Sequence, residues 1–288
     1  MQMKTRVISG FFIAVLIVVL GILGSAPLGI ALMICAVIGY QELMKACAVL
    51  KKKESGNILV TAGYIGTVLY YGALIACPFI YRDSSLTEHM DFWSGLVIAA
   101  FFLATMSIYV LTFPKFESQQ VITSVFGFMY CPVLLIYVYR ARVSFGVYGI
   151  FVYALIFVCS SVCDVFAYFV GRALGRHKMA PVLSPKKTIE GAVGGVAGST
   201  LVSWLLSLAL SALYPQMHLQ LEFILLGICG GLISMIGDLA ASAIKRSHNI
   251  KDYGRLIPGH GGIMDRFDSI IFTAPVIYYL AVLLIGKV

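Results

Sequence analysis

Lys245, Arg246, Lys251 and Arg255, followed by the turn Pro258-Gly259-His260-Gly261-Gly262 and then by Asp265 and Asp268, make the densest charge in the sequence. Four cations in one stretch can neutralise phosphate oxygens. Asp265 and Asp268, three apart, share one helix face and could hold a hard cation such as magnesium. Both fall at the start of an apolar run, where an ionisable group costs about 2.5–3.5 kcal/mol by insertion scales, so a functional role is the default reading. The plain alternatives are an Asp265 that favours a helix N-terminus and a His260 that stabilises its loop.

Two similar groups lie upstream. Asp238 and Ser242, four apart, set a carboxylate and a hydroxyl on one helix face. Asp164 and Tyr168 are one helical turn apart and lead through Arg172 into the basic segment Ser184-Pro185-Lys186-Lys187-Thr188. Thr188 suits an N-cap, and the exposed amides of the helix behind it favour anions. A capped helix behind a positively charged loop explains that segment equally well. Acidic residues on two helices among lysine and arginine suit a metal-nucleotide site better than a proton wire, which needs no such cations. A cation-coupled transporter is the rival favoured by intramembrane aspartate alone.

The elements that position these residues must cross a membrane. The chain is 60% hydrophobic and 12% charged, with a mean hydropathy of +0.95, more than a soluble core requires. Apolar runs near 7–23, 27–43, 58–80, 92–113, 121–139, 147–171, 189–213, 221–244 and 263–286 predict an all-α polytopic protein of about nine spans. Most Lys and Arg then fall on one side, giving a cytoplasmic N-terminus and an outside C-terminus; Arg140 and Arg142 fit badly and are read as helix-end caps. The formal charge of +8 is thereby assigned to topology and membrane lipids, with no nucleic-acid partner. Residues 1–145 read as a transmembrane scaffold and 146–288 as the catalytic transmembrane region. Gly191/Gly195, Gly194/Gly198 and Gly227/Gly231 are small-xxx-small pairs that let helices approach closely. Gly194-Gly195 is not read as a phosphate loop, because no strand is expected before it. Cys159 and Cys163 are read as small packing residues.

Taken together, Ser242-x2-Lys245-Arg246-x4-Lys251-Asp252-x-Gly254-x2-Ile257-Pro258-x-His260-Gly261-Gly262-x2-Asp265-Arg266-x-Asp268 resembles the signature of the phosphatidate cytidylyltransferases, or CDP-diacylglycerol synthases. The Asp164/Ala167/Tyr168/Gly171/Arg172 block and Ser184-Pro185-Lys186-Lys187-Thr188-x-Glu190-Gly191 resemble the family's other motifs, so the likeness covers the C-terminal half. It implies CTP and phosphatidic acid as substrates, CDP-diacylglycerol and pyrophosphate as products, a homodimer, and a site facing the cytoplasm of a bacterial inner membrane. It implies Mg²⁺ on Asp238 and Asp265 with Asp268 nearby, and allows a second, monovalent cation such as K⁺. The candidate catalytic set is Lys245, Arg246, Asp265 and Arg266. Asp164, Tyr168, Arg172, Ser184, Lys186, Lys187, Thr188, Ser242, Lys251, His260, Gly261 and Gly262 are the candidate substrate contacts. A polyprenol or dolichol kinase type of CTP-dependent lipid enzyme is a further alternative.

Topology carries its own test. On a cysteine-free background, single cysteines at Ser184 and Asn249 should be shielded from an impermeant thiol reagent outside intact cells, while one at Gln216 should react. Labelling at Ser184 or Asn249 would remove the common cytoplasmic face.

Overall fold

A computed structural model of the chain describes residues 2–50, 57–81, 86–257, 259 and 261–286, with side chains from residue 9 onward. Its helices are α1 (Gln2–Leu23), α2 (Ser25–Ala46), α3 (Ile58–Ile80), α4 (Leu86–Leu111), α5 (Ser118–Phe128), α6 (Leu134–Val143), α7 (Gly149–Phe157), α8 (Cys163–Leu174), α9 (Ile189–Leu213), α10 (Gln220–Ser247) and α11 (Met264–Leu284). Turns of π-helix at Met129–Val133 and Val158–Val162 fuse α5 to α6 and α7 to α8. Among the described residues, eight rods are long and apolar enough to cross a membrane, and Ser9–Leu23 is a shorter apolar helix. In hydrocarbon each backbone amide must be satisfied within its own segment, which is why these runs are helices. The protein is an all-α polytopic membrane protein, as its composition implies.

Local chemistry sets several boundaries. Gly24, at φ 58°, is the single residue between α1 and α2, and only a residue tolerant of left-handed backbone suits that break. Pro27 opens the second expected run but sits in the first turn of α2, where its missing N–H costs nothing. Asn57 caps α3 by accepting from Leu59 N at 3.0 Å.

One segment departs from the expected pattern. Ser184–Thr188, read as a loop, is a strand: β1 (Lys178–Ala180) and β2 (Ser184–Thr188) form an antiparallel hairpin pairing Lys178 with Thr188 and Ala180 with Ser184. The Glu190 carboxylate folds the chain back by accepting from Arg176 N at 3.1 Å and His177 N at 3.2 Å, and His177 O accepts from Ile189 N at 3.0 Å. A strand therefore does precede the glycines of α9, against expectation. Gly194 and Gly195 nevertheless lie inside the helix and pack against Val170 and Cys163.

The chain forms two compact units, residues 1–139 with 250–266, and residues 140–249 with 267–288. Within the first, polar pairs join the helices: Tyr40 Oη to Ser124 Oγ at 2.8 Å, and Tyr70 Oη to Ser94 Oγ at 2.8 Å. Tyr71 Oη donates to Pro132 O at 3.2 Å, satisfying a carbonyl in the π-helical turn.

The second unit is built on small residues. A side chain at Gly195 would meet Cys163 O at 2.8 Å, one at Gly191 would meet Ala167 O at 2.7 Å, and one at Gly227 would meet Thr200 Cα at 2.8 Å. The backbones of α8, α9 and α10 thus approach where bilayer burial alone gives little drive to associate. Ser199 Oγ donates to Gly227 O at 3.1 Å, while Cys159 and Cys163 thiols point at Leu226 O and Gly231 O, both at 3.6 Å. Arg140, 1% exposed, turns inward: Nη2 donates to Tyr278 Oη at 3.2 Å and the guanidinium lies 4.9 Å from that ring's centre.

Gly195→Leu should overpack the α8–α9 contact and cost about 1–3 kcal/mol. Gly72→Ala, where a side chain meets nothing within 4 Å, should hold or raise stability. Thermal unfolding in detergent distinguishes the two; equal melting would deny that close approach is required.

Candidate active site

In the second unit a cavity of about 280 Å³ opens where α8, β2 and α9 meet. Asp164, Tyr168 and Arg172 line it from α8, Lys186, Lys187 and Thr188 from β2, Gly191 and Ala192 from α9, and Met235 from α10. The sequence explains this convergence. Thr188 ends the strand and caps α9, its Oγ1 accepting from Gly191 N at 3.2 Å. Gly171 faces the same hydroxyl, and a side chain there would stand 2.9 Å from it. Along β2, Lys186 is exposed, Lys187 half-buried and Thr188 buried.

The Lys187 ammonium, buried at its nitrogen, pairs with the Asp238 carboxylate of α10. Arg172 Nη1 donates to Tyr168 Oη at 3.3 Å across one turn. Asp238 follows Gly237, where a side chain would meet Asp268 O at 2.9 Å, so α10 and α11 come close where each carries a carboxylate. Asp268 feels the charges of Asp238, Lys245 and Asp164, and its Oδ1 accepts from Ser269 N at 2.8 Å. Ser160, inside the π-helical turn before Asp164, shares a 2.9 Å hydrogen bond with Ser269. Wide turns of this kind recur at functional sites because they redirect the side chains that follow.

The oxygen donors fit a hard divalent cation, and the Lys187 ammonium shows that Asp238 already attracts positive charge. Among the described residues no group of three or more His, Cys, Asp or Glu forms a ready ligand set. Phosphate oxygens or water would have to complete coordination, which magnesium commonly accepts.

The glycine turn belongs to the first unit. Asp265, 6% exposed, accepts through Oδ2 from Tyr253 N at 2.8 Å and Gly262 N at 3.0 Å, closing the turn onto the start of α11. Gly261 has φ 84°, and a side chain there would stand 2.8 Å from that oxygen. Of the other expected residues, Lys251 and Arg266 are exposed here, and His260 lies outside the described residues. On α10, Ser242 and Lys245 are half-buried and Arg246 is exposed. Ser184 pairs with Ala180 and does not line the cavity.

Sequence reasoning missed Glu42. It lies in α2, 6% exposed, and accepts from Ile263 N at 3.2 Å and Met264 N at 2.9 Å, capping α11 across the first unit. Gly254 and Gly262 leave room for its carboxylate. The signal was present: a lone carboxylate at the end of an apolar run demands a partner.

A profile of the cytidylyltransferase family matches residues 4–284. The chain belongs to that family. Relatives include the phosphatidate cytidylyltransferase of Bacillus subtilis (strain 168), 31% identical over 284 residues and 98% of each chain. That of Staphylococcus aureus (strain COL) is 32% identical over 286 residues, 97% of this chain and 99% of its own. That of Synechocystis is 46% identical over 138 residues, 48% of this chain and 45% of its own. This member of the family thus carries the cavity and its paired charges inside the matched span.

Glu42→Gln removes the charge and one of two acceptors, leaving a helix-start N–H facing an amide donor. It should lower stability by about 1–3 kcal/mol, read as a fall in melting temperature of the purified protein. An unchanged melting temperature would mean that these two hydrogen bonds do not hold the turn.

Proposed function

We propose that the chain catalyses the reaction its relatives are named for, transfer of the cytidylyl group of CTP to phosphatidic acid. The observation that carries the reading is the cavity that gathers Asp164, Tyr168, Arg172, Lys186 and Lys187 beside Asp238 in a chain matched by the family almost end to end. A phosphate oxygen of phosphatidate attacks the α-phosphorus of CTP; that P–O bond forms, the α–β bridging P–O bond breaks, and pyrophosphate leaves with its electron pair. The nucleophile is already ionised, so no strong general base is needed, and the barrier is the repulsion between two anions. Lys186 and Arg172 offset that repulsion from the cavity wall, and tight positioning supplies the rest. Phosphate oxygens entering the cavity compete with Asp238 for the Lys187 ammonium, freeing a carboxylate oxygen. Asp238 and Asp268 would hold Mg²⁺, which when bound supplies charge neutralisation at the phosphates. A monovalent cation beside it, a homodimer, and a site on the cytoplasmic side of a bacterial inner membrane complete the proposal.

Purified protein with phosphatidic acid liposomes, labelled CTP and Mg²⁺ should yield labelled CDP-diacylglycerol and pyrophosphate. A phosphorylated lipid with CDP would indicate the kinase-type alternative, and ion-dependent flux without CTP turnover a transporter. Lys186→Met should lower kcat/KM by about 10- to 150-fold, the loss of a charge-assisted phosphate contact worth about 1.5–3 kcal/mol. Lys115→Met, on an exposed loop of the first unit, should change it little. Equal losses would mean that the Lys186 charge serves topology alone.

A further inference from the structure

A second hollow adjoins the charged cavity and differs from it in character. It is an apolar groove of about 770 Å³ between α9 and α10, lined by Val193, Ala197, Leu201, Trp204, Ile224 and Ile228 among others. Its one hydroxyl, on Thr200, is turned into the helix, donating to Val196 O at 2.7 Å. Ala192 and Met235 line both hollows. The charged cavity and the groove therefore adjoin, the first cationic and the second hydrocarbon-like.

That division matches an amphiphile with an anionic head and a hydrocarbon tail. Lys186 and Arg172 sit at the head end, where α9 begins. Along the groove the exposed faces of Val193, Leu201 and Trp204 offer dispersion contact and no charge. A nucleotide would leave the groove empty, while a zwitterionic bilayer lipid would bring a cationic ammonium group to lysines. We infer that this groove holds one acyl chain of the phosphatidate substrate while its phosphate occupies the lysine-lined cavity. The inference rests on the reaction proposed above.

Two measurements decide it. With Trp93→Phe, Trp204 is the sole tryptophan, since the chain has 2. In nanodiscs, acyl-brominated phosphatidic acid should cause a greater loss of its emission than acyl-brominated phosphatidylcholine at the same mole fraction. Ala197→Trp or Leu201→Trp, filling the groove, should lower kcat/KM about tenfold for dioleoyl phosphatidic acid and less than about twofold for the dihexanoyl form. Leu208→Trp, exposed on the same helix outside the groove, should do neither. Equal quenching by the two lipids, or equal losses at both chain lengths, overturns the assignment. If the wild-type protein turned over neither lipid, the parent reading would fail on that result, and the quenching comparison, which needs no turnover, would still decide the groove.

Discussion

A charged group drawn away from water must find a partner, and the described part of this structure is organised around such contacts. Lys187 and Asp238 neutralise one another beside the cavity. Glu42 is spent on two amides at the start of α11, and Arg140 on the ring and hydroxyl of Tyr278. Breaking a buried pair by removing one partner typically costs about 3–5 kcal/mol, because the other charge stays behind uncompensated. Of the three, only the Lys187–Asp238 pair has a member that lines the charged cavity.

That pair forms only because the helices behind it come close. Gly171 and Gly191 bring α8 against α9 at the Thr188 cap, and Gly237 brings α10 to the backbone of Asp268. Hairpin, cap and glycine contacts converge at one end of α9, so Lys187 is presented by a strand whose direction Glu190 fixes. The π-helical turn at Val158–Val162 sets the angle at which α8 delivers Asp164, tied to α11 through Ser160 and Ser269. Rigid small-residue packing thus positions the polar groups, as a preorganised electrostatic site requires.

Much of this was legible in the residues. Hydropathy gave the spans, with α3 and α9 matching the expected 58–80 and 189–213, because hydrocarbon leaves a twenty-residue apolar run few alternatives to a helix. Thr188 was readable as a cap from its place before an apolar run. That Asp164, Tyr168 and Arg172 lead into the segment of Lys186 and Lys187 was legible in the sequence, but not that α9 and α10 close a cavity around them, since spacing along a chain does not tell which helices meet. The hairpin was hidden because Lys178–Ala180 and Ser184–Thr188 lack the alternating apolar pattern of a buried strand. The place of Glu42 at the end of an apolar run signals that it needs a partner, but which groups it meets was hidden, because they lie more than 200 positions away.

The claim that the carboxylates of α10 and α11 form a cation-assisted nucleotide site is tested most directly by calorimetric CTP binding at rising Mg²⁺. The wild-type protein should bind CTP more tightly as Mg²⁺ increases, and Asp238→Asn should lose that dependence while remaining folded. An identical Mg²⁺ response in the two proteins would contradict the account.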